Sequence, residues 1–295
     1  MNSKDFNKCI INIINGQGNM GPLLSQVMEF GTEEQYERVI LAIQRNVRHR
    51  KTLSALYTNR NINNIFSGAF IPSLTFCCSN SRENIYKDVL FWVKFLAGYK
   101  DIICEFFNKK AQFEASYLCG NFQEAERLLS DIYNSTGISY WYIEMRLLLL
   151  NASDYDSYRK YYEYLKSSAS NNLVENHIRL IKRRINMRTS EYDYCDFFYK
   201  KFPPPKALSK PIEGYEFYRE YLNFMYTDST AKLSEEQLGR LSTVMHHLTL
   251  VDSVLLMERF LLHLICIQNI SEYKQLYKQF SGTFIGNDVK RGTDY

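Results

Sequence analysis

Three similar stretches of the chain decide its fold: GNFQEAERLLSDI at residues 120–132, SDYDSYRKYYEYL at residues 153–165 and SEYDYCDFFYKKF at residues 190–202. Phe122, Tyr155 and Tyr192 hold equivalent places in these stretches and are spaced by 33 and 37 residues. Such a period is typical of helix pairs that stack side by side into a solenoid. We therefore predict an all-α fold, a helical-hairpin array with further helices on its N-terminal and C-terminal sides.

The three stretches share an apolar stripe along the second helix of each pair. Its positions are spaced by three, one and three residues, which places them on one face of an α-helix. We expect each unit to bury this stripe against its neighbours. The stripe consists of Ala125, Leu128, Leu129 and Ile132, then Tyr158, Tyr161, Tyr162 and Leu165, and finally Cys195, Phe198, Tyr199 and Phe202.

Polar residues and glycine set the predicted helix boundaries. Gly120 and Asn121 form the first turn, because helices often end in a left-handed residue that glycine adopts without strain. Ser153 or Asp154 caps the second helix of the next pair by accepting a backbone N–H bond. The predicted segments are an N-terminal helical segment (1–81), the helical repeats (82–202), a proline-rich connector (203–211) and a C-terminal helical segment with a loose tail (212–295).

Composition limits the classes of protein to consider. The 295 residues carry a net charge of +4, which is too small to indicate a nucleic-acid or membrane partner. The seven cysteines form no C-x-x-C pair, and no apolar run reaches the roughly 18 residues of a membrane span. We predict a cytoplasmic protein that does not associate with a membrane and needs neither a cofactor nor a metal ion.

The run GNFQEAERLL at residues 120–129 resembles the turn and second helix of a tetratricopeptide repeat. The resemblance covers about residues 101–202, although Tyr158 and Cys195 stand where that family repeats a small residue. It implies a concave groove, lined by the first helix of each pair, that binds a protein segment. The exposed side chains expected to line the groove are Lys109, Lys110, Glu114, Tyr142, Glu144 and Arg146.

A basic helix is predicted at residues 177–188, HIRLIKRRINMR. Its cations could neutralise the phosphates of a nucleic acid, or they could meet an acidic protein partner. The alternative is a solvated helix face that pairs with acidic neighbours such as Glu191 and Asp193. The cations in question are Arg179, Lys182, Arg183 and Arg184.

Two further motifs resemble catalytic or nucleotide-binding signatures. Arg240 precedes His246 by six residues, which resembles the R-x(4–6)-H signature of the HEPN superfamily of ribonucleases and toxins. In that chemistry the histidine moves a 2′-hydroxyl proton and the arginine steadies the phosphate; the alternative is a packed structural histidine. GQGNMG at residues 16–21 satisfies G-x-G-x-x-G, but no alternating strand and helix pattern follows it, so we expect a turn.

The sequence favours a non-enzymatic scaffold or adaptor that binds a protein partner in the groove of its helical repeats. The alternative is a helical ribonuclease, toxin or RNA-binding effector that uses Arg240 and His246. A bias towards Asn, Ile, Lys and Tyr is typical of AT-rich genes in bacterial mobile islands and phages, which suggests a role in antiviral defence or conflict. The identity of the partner and the oligomeric state are left open by the sequence.

Overall fold

Every regular element that the structure describes is a helix, as predicted. The structure, a computed structural model, describes residues 3–14, 35, 38, 39, 42, 82–169, 172–186, 189–208, 215–227, 232–245 and 248–285. The α-helices in these residues are α1 (Ser3–Ile14), α2 (Arg82–Ala97), α3 (Lys100–Leu118), α4 (Phe122–Thr136), α5 (Tyr140–Ser153), α6 (Tyr155–Ser168), α7 (Asn172–Ile185), α8 (Glu191–Lys201), α9 (Tyr215–Tyr226), α10 (Glu235–Val244), α11 (Leu250–Cys266) and α12 (Tyr273–Phe284). A short 3-10 helix at Pro205–Ala207 follows α8.

The predicted turns and caps of the repeat region are confirmed. Gly120 has a φ of 73°, the left-handed conformation that favours glycine, and the side chain of Asn121 accepts a bond from the N–H of Glu124. Asp154 caps α6 by accepting bonds from the N–H groups of Asp156 and Ser157. These contacts satisfy backbone donors that the helix itself leaves free.

The apolar stripe is buried, with one correction. In α4 all four stripe residues are buried, and so are Phe198 and Phe202 in α8. Tyr199, by contrast, is 55% exposed. It lies about 100° around the helix from Phe198, and the contacting rings of Phe198 and Phe202 already occupy the face of α8 that is turned inward.

The repeat region consists of three antiparallel helix pairs that pack in sequence. Within the pairs, α3 packs on α4, α5 on α6 and α7 on α8. Between the pairs, α4 contacts α5, and α7 contacts both α5 and α6. This arrangement is the helical array that the spacing of the three stretches predicts.

The C-terminal helices lie against the first helices of the array. Helix α11 contacts α3 and α5, α12 contacts α2 and α3, and α10 contacts α2. The carboxylate of Asp252 in α11 accepts bonds from the N–H groups of Tyr140 and Trp141 at 2.9 and 3.1 Å, and so caps α5 from outside the repeat. Part of α3 and part of α5 are therefore packed against the chain's own C-terminal helices.

A buried chain of polar groups joins α5, α7 and α9. The hydroxyl of Tyr218 lies 2.8 Å from Nδ1 of His177 and 3.2 Å from the hydroxyl of Tyr140. Burial holds the pKa of His177 well below its usual value, so the imidazole is neutral at physiological pH. All three side chains are buried, and their role is to fix the C-terminal helices to the repeats.

Candidate functional site: a basic pocket on the second helices

The residues predicted to line the groove on α3 are held by intrahelical ion pairs. Lys109 lies 2.6 Å from Glu105, and Lys110 lies 2.8 Å from Glu114. Lys110 and Glu114 also lie near Glu258 of α11. Burial raises the pKa of Glu258, and the charge of Lys110 opposes part of that rise. This part of α3 therefore meets the C-terminal helices.

The predicted groove residues on α5 point in different directions. The ring of Tyr142 lies 4.9 Å from the ring of Tyr133 on α4, and Arg146 forms an ion pair with Glu126, also on α4. Glu144 was expected to be exposed, but it is buried. Two residues along a helix lie about 200° apart, so Glu144 faces away from Tyr142 and Arg146 and towards α7. The six predicted residues do not form one surface.

The basic helix is split into two sides. Arg184 lies 3.3 Å from the buried carboxylate of Glu144, and its guanidinium lies over the ring of Tyr226. Burial raises the pKa of Glu144, and the charge of Arg184 opposes that shift. Arg184 thus takes part in the contact between α5 and α7, although its side chain stays 44% exposed.

The other three cations of α7 line a pocket between α6, α7 and Phe197 in the middle of α8. Arg179, Lys182 and Arg183 follow the spacing of three and four residues that places side chains on one face of a helix. The pocket has a volume of about 520 Å³, within the range of sites for small molecules and side chains. Its lining residues are Tyr162, Glu163, Lys166, Arg179, Lys182, Arg183, Asn186, Thr189 and Phe197.

Two of the four pocket cations have carboxylate partners. Lys166 lies 3.3 Å from Glu163, and Arg179 lies 2.5 Å from Glu175. These pairs neutralise part of the positive charge at the side of the pocket formed by α6 and by the first half of α7.

The other two pocket cations lie on aromatic rings. Nζ of Lys182 is 4.1 Å from the ring centre of Tyr162, and the guanidinium carbon of Arg183 is 4.5 Å from that of Phe197. An aromatic face attracts a cation but does not cancel its charge. Within the described residues neither cation has a carboxylate at ion-pair distance, so Glu191 and Asp193 are not the partners that the solvated-face interpretation expected.

The sequence missed the part of the pocket that α6 and α8 contribute. Tyr162 was assigned to the apolar stripe, and Lys166 and Phe197 were not considered. A signal was present in α6, where Tyr155, Arg159, Tyr162 and Lys166 are spaced by four, three and four residues and so share one helix face. That face alternates aromatic and cationic residues, and α7 supplies the opposite wall.

The second candidate site is described only in part. Arg240 lies 3.6 Å from Glu216 and 2.5 Å from Glu236, so its guanidinium has two carboxylate neighbours. His246 lies outside the described residues, as does the GQGNMG run at residues 16–21. Both motifs therefore stay predictions from the sequence.

The described residues were also compared with the requirements of a metal site and of a membrane span. Nowhere in the described ranges do three His, Cys, Asp or Glu side chains come together as metal ligands would. No helix among them combines the length and the apolar character needed to cross a bilayer.

A concave site on α6, α7 and α8 thus contains two cations, Lys182 and Arg183, that have no carboxylate partner within the described residues. The resemblance to tetratricopeptide repeats has structural support only at the level of a helical array. Comparison of the chain with protein-family models, with curated proteins and with solved structures gives no match.

Proposed function

We propose that this protein is a non-enzymatic interaction scaffold that binds an anionic segment of a partner protein in the basic pocket. The observation that carries the proposal is the pair Lys182 and Arg183, whose charges lie on aromatic rings within a concave site. Binding an anion there neutralises the positive charges of Lys182 and Arg183, for which the described residues provide no carboxylate partner. The helical array supplies the rigid frame, and its relation to tetratricopeptide repeats belongs to the same proposal.

A protein segment suits this pocket better than a long nucleic acid. Acidic residues border the cations, since Glu163 and Glu175 lie beside Lys166 and Arg179. A nucleic-acid track would need cations at successive phosphates along the surface. A basic area that is bounded by carboxylates instead fits a short anionic segment.

The proposal places the partner away from the groove that the sequence predicts. Helices α3 and α5 both contact α11, and Glu144 is buried against Arg184. Binding in the groove would require the C-terminal helices to leave, with loss of the cap that Asp252 provides for α5. A cytoplasmic location and a role in defence or conflict remain predictions from composition.

Fluorescence anisotropy of the full chain with labelled peptide pools tests the proposal. One pool carries Asp, Glu and phosphorylated residues at mixed positions, and the other carries Asn, Gln and Ser at the same positions. We expect only the anionic pool to bind, and we expect the double substitution Lys182→Gln/Arg183→Gln to weaken binding by about tenfold or more, since each lost charge contact removes on the order of 1 kcal/mol.

Lys200→Gln is the matched control. Lys200 is an exposed cation of α8 outside the pocket, paired with Asp196, and its substitution should leave binding unchanged. Equal binding by the wild type and the double variant would overturn the proposal. So would tighter, Lys182-dependent binding of a mixed-sequence single-stranded RNA, because the partner would then be a nucleic acid.

A further inference from the structure

The charges of the pocket indicate what kind of anionic group it accepts. Two of its four cations are paired with carboxylates, which leaves the charges of Lys182 and Arg183 to be compensated. A single carboxylate brings one negative charge. A phosphate monoester brings about −1.5 to −2 at neutral pH together with three acceptor oxygens.

We propose that the pocket recognises a phosphorylated side chain in the partner segment. The proposal rests on the proposed function, and it adds the chemical class of the bound group. One phosphate monoester matches the two uncompensated cations in charge, and its oxygens can accept bonds from Arg183 and Lys182 at the same time.

The geometry of the donors supports phosphate over carboxylate. The planar fork of arginine binds either anion in a bidentate manner and lysine acts as a point charge, so two arginines and one lysine offer more donors than the two oxygens of a carboxylate can accept. Arg179 and Arg183 lie one turn apart on α7 and both line the pocket, with Lys182 beside them. The Nε–H of Arg179 is buried and donates no bond to any described residue, although another of its nitrogens holds Glu175.

The rings fix the cations before the ligand arrives. Stacking on Phe197 and Tyr162 limits the rotamers that Arg183 and Lys182 sample, so less side-chain entropy is lost on binding. The volume of about 520 Å³ exceeds the needs of one phosphate group and leaves room for the side chain that carries it.

The test compares peptides that carry a phosphorylated residue with peptides that carry a carboxylate or no charge at the same position. Three labelled pools of equal length carry at their centre a phosphorylated residue, a glutamate or the unmodified residue, with neutral flanks, and binding to the full chain is followed by anisotropy. We expect the phosphorylated pool to bind about tenfold more tightly than the glutamate pool. Arg183→Lys, which keeps the charge but removes the fork, should lose about half or more of that preference, while Lys200→Gln should retain it.

The outcomes distinguish the two proposals. Equal binding of the phosphorylated and glutamate pools, lost in Lys182→Gln/Arg183→Gln, overturns the phosphate inference and leaves the proposed function standing. Failure of every pool overturns both. Competition with inorganic phosphate and with a nucleoside monophosphate identifies the source of the phosphate, and a nucleotide that binds more tightly than the phosphorylated pool overturns the assignment to a protein side chain.

Discussion

At the scale of single residues, neighbouring cations of one helix have different roles. Arg183 and Arg184 are adjacent in the sequence, yet one lies on Phe197 in the pocket and the other holds the buried carboxylate of Glu144. The sequence predicts that α7 is basic and amphipathic. It does not predict this division, because the choice depends on which carboxylates and rings the neighbouring helices bring within reach.

We expect Arg184 to contribute to stability and the pocket cations to contribute little. Arg184→Gln leaves Glu144 buried without its partner and should lower the free energy of unfolding by about 1–3 kcal/mol. Lys182→Gln and Arg183→Gln should each change it by less than about 1 kcal/mol. Urea unfolding of the three variants measures these values, and equal losses in all three would contradict the division of the helix into two sides.

A buried carboxylate between α2 and α10 should make stability depend on pH. Burial raises the pKa of Asp88 to about 7, although the hydroxyl of Ser242 donates a bond to it and lowers the pKa in part. Between its unfolded pKa, about 4, and the folded value, only the folded state keeps the proton. Stability from this group is therefore present at low pH and falls, by up to about 1.4 kcal/mol per pH unit, as the pH rises to 7.

Asp88→Asn removes the titrating group and keeps its size. We expect the variant to lose this part of the pH dependence and to gain stability over the wild type as the pH rises towards about 8. Unfolding in urea at a series of pH values gives the difference between the two proteins. If that difference is constant with pH, Asp88 does not hold a proton in the folded state.

At the scale of helices, local sequence predicts most of the boundaries. The cap residues Asn121, Asp154 and Ser190 begin α4, α6 and α8, and Gly120 forms the turn between α3 and α4. These signals act within a few residues, so one sequence suffices to find them. Helix α5 also has a local cap, Ser139, but its first two N–H groups bind Asp252, which lies more than a hundred residues away and which only the packed structure brings there.

Removal of the Asp252 carboxylate should lower the free energy of unfolding more than removal of a local cap does. Asp252→Ala leaves two buried N–H groups at the start of α5 without an acceptor, and we expect a loss of about 2–4 kcal/mol in the free energy of unfolding. Asp154→Ala affects an exposed cap and should cost about 1 kcal/mol. Thermal or urea unfolding compares them, and similar losses would argue against the packing of α11 on α5.

At the scale of the whole molecule, the placement of the C-terminal helices decides where a partner can bind. The repeat spacing indicates an array and a groove, but it carries no information on what covers that groove. Contacts of α11 with α3 and α5 occupy part of it, and a concave cationic site lies elsewhere, on α6, α7 and α8. The pocket could be predicted only in part, because its walls come from three helices whose pairing depends on tertiary packing.

The central claim is that the partner segment binds on α6, α7 and α8, and hydrogen–deuterium exchange of the full chain tests it most directly. Exchange is measured with and without a saturating concentration of the anionic peptide pool. We predict slower exchange in α6, in α7 and around Phe197 in α8, with no change in α3 and α5. Protection of α3 and α5 without protection of α7 would contradict the account and return the binding site to the groove.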